Sequence, residues 1–355
     1  MDDPNDPKLR DTPGSERFVD LDEALTAPYS EQPVRLSCSV IVPAYDAKDY
    51  LGRCIHGLLA AGFAHEEIIC VDDGSSDGTA NFLRQMGIEP LVLEDNQGAA
   101  YARNTGARRA QSDILFFVDA DVVVHPDARE RIDRFFAAET GYAAIFGCYD
   151  DQPAGDHLVN RFRNLFHRHV HVQSAGDAVT FWTGCGAVRR DAFEIVGGFD
   201  SEQRMMEDVR FGLKLHSNGH RIRLDPDLQA THLKRWKLTS MFWTDLVNRA
   251  VPWTRLLRTP LGKASNYRLN LSLTGRLSGL SVAGSLIGAG LALISPTFGV
   301  AVIVAMVALL AWLNREFLRL MRRTFGAGDA LLAVPLLWLH YLSAGLGFAY
   351  ATLVR

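Results

Sequence analysis

Two carboxylates one residue apart, Asp119 and Asp121, interrupt the apolar run Phe116-Phe117-Val118-Asp119-Ala120-Asp121-Val122-Val123-Val124. Such a pair offers hard oxygen ligands to Mg²⁺ or Mn²⁺, with the ion bridging to a substrate diphosphate. An acidic turn after a strand has the same composition. A second acidic string, Asp72-Asp73-Gly74-Ser75-Ser76-Asp77-Gly78-Thr79, closes another apolar run. Its residues form turns and cap helices, and a carboxylate there also suits a base N–H or a ribose hydroxyl. Neither a G-x-x-x-x-G-K-[ST] nor a G-x-G-x-x-G loop is present, so no backbone cradle for phosphate is indicated. A metal held by Asp119 and Asp121 then becomes the natural way to neutralise a diphosphate, and Arg103 could add a bidentate contact. A third acidic pair, Glu207-Asp208, falls where a helix should begin. It either compensates the helix dipole or serves chemistry.

The elements that must position these groups follow from periodicity. Ser39-Val40-Ile41-Val42-Pro43 is a short β-run closed by proline, and Ala47 to Ala61 carries helical spacing. A strand from Glu67 to Val71, a helix through Met86, a strand near Pro90 to Leu93, a helix from Ala99 to Ala110 and the Asp119 strand follow. Strands alternating with helices at this spacing predict an α/β domain with a mostly parallel sheet. Ligands in such sheets bind beyond the carboxyl ends of the strands. Here those ends carry Pro43-Ala44-Tyr45, Asp72-Asp73 and Asp119-Ala120-Asp121, three independent sets of ligand-type residues.

In that order these strings, with Gly98 and Ala102-Arg103-Asn104-Thr105-Gly106, resemble the successive motifs of family 2 glycosyltransferases, inverting enzymes of the GT-A fold that use nucleotide-diphosphate sugars. The likeness covers about Ser39 to Trp236. It implies that Pro43 and Tyr45 contact the nucleoside, Asp73 the base, Asp121 the divalent metal, and Asp119 the ribose or the metal shell. The matching Glu207-Asp208 would supply the general base, with Asp208 taking the proton from an acceptor hydroxyl as it attacks the anomeric carbon. An already ionised lipid phosphate acceptor would not need that base. Thr231-His232-Leu233-Lys234-Arg235-Trp236 is similar to the Gln-x-x-Arg-Trp motif of cellulose-, hyaluronan- and ceramide-type members, with His232 in the Gln position. The match assigns Arg235 to the diphosphate and Trp236 to the acceptor. A snorkelling Arg-Trp pair at a membrane interface reads the same way.

Bulk properties set the remaining expectations. The net charge of −4 gives no general affinity for nucleic acid. Residues 1–35 are expected to be a disordered acidic lead without a signal-peptide core. The five cysteines show no C-x-x-C spacing and read as buried reduced thiols. His157, His167, His169 and His171, interspersed with Arg161, Arg163 and Arg168, predict a basic polar helix near the acceptor cleft rather than a metal centre, and His125 is a further candidate for the metal environment. The catalytic domain is expected over 36–232, and amphipathic basic interfacial helices over 233–272. Residues 273–355 should be a transmembrane region, because 277–295, 297–313 and 330–353 lack charge and approach the ~20 residues that cross a hydrocarbon core. Arginines flanking the first two spans put their ends in the cytosol, and a third crossing would leave Arg355 on the far side.

The expected protein is a metal-dependent inverting glycosyltransferase anchored at the cytoplasmic face of a bacterial inner membrane. Its expected partners are a nucleotide-sugar donor and a lipid or lipid-linked acceptor, with homo-oligomers conceivable. The alternatives are a processive polysaccharide synthase and a nucleotide-sugar-binding scaffold without catalysis.

Overall fold

A computed structural model describes residues 35–138, 141–264 and 272–354. The expected acidic lead therefore lies, apart from Arg35, outside the described residues. The catalytic region runs β1 (Cys38–Ala44), α1 (Lys48–Ala60), β2 (Ile68–Asp72), α2 (Thr79–Gln85), β3 (Leu91–Val92), α3 (Ala99–Arg109), β4 (Ile114–Val118) and β5 (Val122–Val124). It continues through α4 (Ala128–Ala137), β6 (Tyr142–Tyr149), α5 (Leu158–Gln173), β7 (Gly176–Ala178), β8 (Cys185–Arg189), α6 (Arg190–Ile195), α7 (Glu207–Ser217) and β9 (Arg221–His232).

The strands form one sheet in the order β3-β2-β1-β4-β8-β6-β9-β5, with β7 added on β9. β1, β2, β3 and β4 are parallel, so their carboxyl ends share one edge. β8 enters antiparallel between β4 and β6, and β5 turns back antiparallel on β9. Crossover helices cover both faces, which is why β4 is apolar throughout: Phe116 packs into the core on one face and Phe117 into the core on the other. Gly106 lets α3 sit directly on β1, since a Cβ there would meet Ile41 Cγ2 at 2.6 Å. That approach sets the position of Arg103, one turn earlier on the same helix.

Beyond β9 the chain is helical. α8 (Leu238–Trp243), a π-helical segment (Thr244–Ala250) and α9 (Val251–Leu256) run on from one another, and α10 (Pro260–Ala264) follows. After residues 265–271 come α11 (Leu273–Ala292), α12 (Pro296–Leu313), α13 (Arg315–Phe325) and α14 (Ala327–Leu353). α12 and α14 are long and apolar enough to cross a membrane, by length and composition. α11 and α12 form a hairpin that exposes large apolar side chains such as Leu280, Ile287, Phe298 and Val304. On an ordinary soluble surface such a patch would be costly.

Candidate active site

The three strand ends predicted to carry ligands meet at one edge of the sheet. Tyr45 leaves β1 with 53% of its surface exposed, an open aromatic face beside the loop after β2. That loop is fixed to it by hydrogen bonds. Asp46 N–H donates to Ser75 Oγ (2.9 Å), and Ser76 N–H donates to Asp46 Oδ1 (2.9 Å). Asp46 pays for this with a left-handed φ of 46°, a conformation a non-glycine residue keeps only where its surroundings impose it. Pro43 is half-buried within β1, in register with Val71.

Asp73, the residue the resemblance assigns to the base, is buried. It is 3% exposed, and its two carboxylate oxygens accept the backbone N–H groups of Gln97 and Gly98, each at 2.8 Å. Its visible work is to hold the turn into α3, and any contact with a base would have to share oxygens already engaged.

Arg103 departs from expectation. Rather than standing open to a diphosphate, the residue is 4% exposed and its guanidinium forks between two acids. Nη2 donates to Asp119 Oδ1 at 2.7 Å and Nη1 to Glu207 Oε1 at 2.8 Å. Burial excludes water, so the two carboxylates need this cation between them. The fork joins the end of β4 to the start of α7 and brings Asp119 into one cluster with Glu207 and its neighbour Asp208.

Asp208 stands in the first turn of α7 after Met206, whose φ of 65° is left-handed. Asn104 holds the approach to that turn, donating to the Phe199 carbonyl (2.9 Å) and accepting the Phe199 N–H (3.0 Å). Burial, reinforced by the charge of Glu207 and opposed by Arg103, pushes the Asp208 carboxyl up to about 7. A group poised there can accept a proton near neutrality.

On the other side, Asp121 Oδ2 lies 3.4 Å from His232 Nε2. Their meeting is built by the sheet: β5 and β9 pair with Val122 opposite His232, and Leu233 N–H donates to the Asp121 carbonyl (2.7 Å). Burial works against an ionised Asp121, yet the hydrogen bond and charge of His232 hold its carboxyl below the usual range. The His232 ring stacks on Tyr149 with centroids 4.5 Å apart and planes 10° from parallel. A carboxylate oxygen and an imidazole nitrogen converging in this way fit a divalent ion that takes its other ligands from diphosphate and water. Among the described residues no group of three or more metal-ligating side chains gathers, so two protein donors would leave coordination positions open to substrate.

His125 instead meets Asp150, with Nε2 3.1 Å from Oδ2. The α5 histidines are not a basic face. Burial holds His167 well below the usual range and takes His171 down to about 4, so both stay neutral. Their rings pack with Tyr149 and Trp182 behind His232. Arg235 is exposed and lines a cavity of about 290 Å³ with Asp49, Tyr50 and Arg53. Trp236 donates its backbone N–H to Asn160 Oδ1, and Arg163 Cζ (5.1 Å) and Lys234 Nζ (4.7 Å) both lie over its ring. Tyr149 was missed at the sequence level, where it reads as one more apolar strand residue.

With this geometry in place, comparison with known proteins is informative. Residues 39–197 match the family model described as glycosyl transferase family 2. A Bacillus subtilis glycosyltransferase named for teichuronic acid biosynthesis is 43% identical over 88 residues, covering 23% of this chain and 35% of that protein. A Staphylococcus aureus poly-β-1,6-N-acetyl-D-glucosamine synthase is 26% identical over 195 residues, covering 52% and 47%. The chain thus spans about half or less of the length of these relatives. In three dimensions it superposes on a mannosyltransferase of Pyrobaculum calidifontis in complex with GDP-Man and Mn²⁺, with a TM-score of 0.55 and 16% identity, over 93% of this chain and 92% of that one. The sheet order, the motif-bearing strand ends and these matches agree: residues 39–197 are a family 2 glycosyl transferase domain, built on the GT-A fold.

Proposed function

We propose that this chain transfers a sugar, with inversion, from a nucleotide-diphosphate donor to a lipid or lipid-linked acceptor, working on the cytoplasmic face of the membrane that holds its helical region. The observation that carries this reading is the Arg103 fork, which joins donor-side Asp119 to acceptor-side Glu207 and Asp208 in one buried cluster. Tyr45 offers a stacking face for the base, and Asp121 with His232 offers a seat for the divalent ion. A cation held there would carry the charge that develops on the leaving diphosphate. Asp208 accepts the proton of an acceptor hydroxyl as its oxygen attacks from the face opposite the diphosphate. The exposed Arg235, with Trp236 beside it, lies on the path from this edge to the interfacial helices. The domain limits proposed for the chain are a catalytic unit to about residue 232, interfacial helices to about 272, and a membrane region beyond.

The direct test is a panel of UDP- and GDP-sugars incubated with membranes containing the full chain and Mn²⁺ or Mg²⁺, scored by nucleotide release. Release with one donor, abolished by EDTA and restored by metal, is expected. Release indifferent to EDTA would overturn the metal role of Asp121. Since an imidazole joins the carboxylate, Mn²⁺ should serve at least as well as Mg²⁺. Replacement of His232 by alanine removes a direct donor and should weaken Mn²⁺ binding by at least the ~10–100-fold that losing a ligand's outer-shell partner costs, measured by titrating the purified protein in the absence of donor. Purified protein should add a single sugar; long polymer would instead identify a processive synthase.

A further inference from the structure

Although α14 is 27 residues long and apolar enough to cross a bilayer, polar contacts at its start, middle and end reach the catalytic side, while Trp338 and Tyr341 near its middle also bond to Ser285 and Asn314 of the α11–α12 hairpin. Asp329 Oδ2 accepts from Arg161 Nη1 at 3.0 Å. His340 Nδ1 lies 2.8 Å from Asp245 Oδ2. The Ala351 carbonyl accepts from Arg258 Nη1 at 2.7 Å. These positions follow one another at about three helical turns, so they share one face and span about 33 Å of helix.

Each partner belongs to an element fixed to the catalytic sheet. Arg161 sits on α5, which is bound to the end of β6 by Asn164 donating to the Asp150 carbonyl (2.7 Å) and Arg168 donating to that of Tyr149 (2.9 Å). Asp245 meets Arg163 of the same helix at 2.6 Å. Arg258 follows α9, whose Leu256 packs with Val209 and Leu213 of α7, the helix that carries Asp208. α14 also rests closely on the π-helical segment: a Cβ added at Gly347 would fall 2.4 Å from Ala250 Cβ. A helix crossing a hydrocarbon core of about 30 Å would hold one end that far from the catalytic face. Both ends of α14 touch it.

We infer that α14 does not cross the membrane but lies along its catalytic side, its outer face on an anionic lipid leaflet, so that only the α11–α12 hairpin enters the hydrocarbon core. This inference rests on the membrane anchoring proposed above. The lipid occupant is indicated by two features. Leu331, Leu332, Phe348 and Leu353 are exposed along the outer face of α14. Arg315, Arg319, Arg322 and Arg323 are exposed on the adjoining α13, where they can meet anionic headgroups. Residue 354 then ends on the same side as the active site, in place of the third crossing expected from hydropathy.

The test is cysteine labelling of the full chain in sealed vesicles of both orientations, using a membrane-impermeant maleimide. The native cysteines are all buried, and the unsubstituted chain is the blank. Glu66→Cys, at an exposed position of the catalytic region away from the site, marks the catalytic side. Gly328→Cys, where an added Cβ meets nothing within 4 Å, and Leu353→Cys, at an exposed site, bracket α14. Both should label only in the orientation in which Glu66→Cys labels. Labelling of Gly328→Cys and Leu353→Cys from opposite sides would overturn the inference. Ser295→Cys, in the exposed turn of the hairpin, reads the anchor separately. Labelling from the far side upholds it, whereas labelling from the near side overturns the anchor and with it the lipid partner. A topology reporter fused to the C-terminus of the unsubstituted chain repeats the decision without any cysteine, and should report the catalytic side.

Discussion

Asp208→Asn should lower turnover with a hydroxyl acceptor by roughly 10²–10⁴-fold, the range spanned by a positioned general base. Donor affinity should be little changed, because Asp208 opens helix α7, whereas the stacking face assigned to the base, Tyr45, leaves the end of β1. The pH profile makes the test specific. Burial and the neighbouring Glu207 push the Asp208 carboxyl up to about 7, and only its ionised form can take the acceptor's proton. The wild-type rate should therefore climb as pH rises through about 7, and the asparagine variant should lose that limb. Stability runs the other way. Between the ordinary carboxyl range and about 7, the folded chain keeps a proton that the unfolded chain has released, so this group's contribution to stability is lost as pH rises through that window. The asparagine variant cannot ionise and should be the more resistant to denaturation above pH 7. A variant that gained stability there but kept its turnover would place Asp208 outside the reaction, as an ionised phosphate acceptor would require.

How much of this was legible in the sequence depended on distance along the chain. β1, β2 and β4, the helices between them and the acids at their ends are local patterns, and parallel βαβ units place consecutive strand ends on one edge by construction. The antiparallel second half was not legible in the same way. β6 is buried along its whole length, so its apolar run does not distinguish strand from helix. β9 carries Asp225-Pro226-Asp227 within its span, a string that reads as a turn. The roles of single charges were hidden for a related reason. Arg103 finds Glu207 across 104 positions, and Asp73 finds Gln97 and Gly98 across 24 and 25, so neither pairing leaves a trace in local spacing. His232 stands where a similar motif has glutamine, but its approach to Asp121 exists only through the β5–β9 register. Hydropathy measures how apolar α14 is and says nothing of what its polar residues meet.

The Arg103 fork offers the other large effect. Arg103→Leu removes the shared cation and leaves the Asp119 and Glu207 carboxyl groups without their common partner in a water-poor site. Removing one partner of a buried ion pair costs about 3–5 kcal/mol. The lower end applies here, because the Asp119 side chain keeps 30% of its exposure while Glu207 keeps 15% and Arg103 5%. Thermal denaturation should register a fall in Tm on the order of 6–12 °C, together with loss of transfer, since nothing then fixes the first turn of α7 against the end of β4. Arg103→Lys should recover part of the stability, because one ammonium cannot donate along two directions as the planar guanidinium does. The decisive variant adds Glu207→Gln to Arg103→Leu. If the loss comes from uncompensated charge, neutralising one carboxylate should restore part of the Tm without restoring the alignment that turnover needs. If Arg103 served the diphosphate directly, Arg103→Leu would raise the KM for the donor, leave Tm in place and be indifferent to the second substitution. The buried two-way bond predicts the first pattern, in which Arg103 organises the reacting acids rather than touching the substrate.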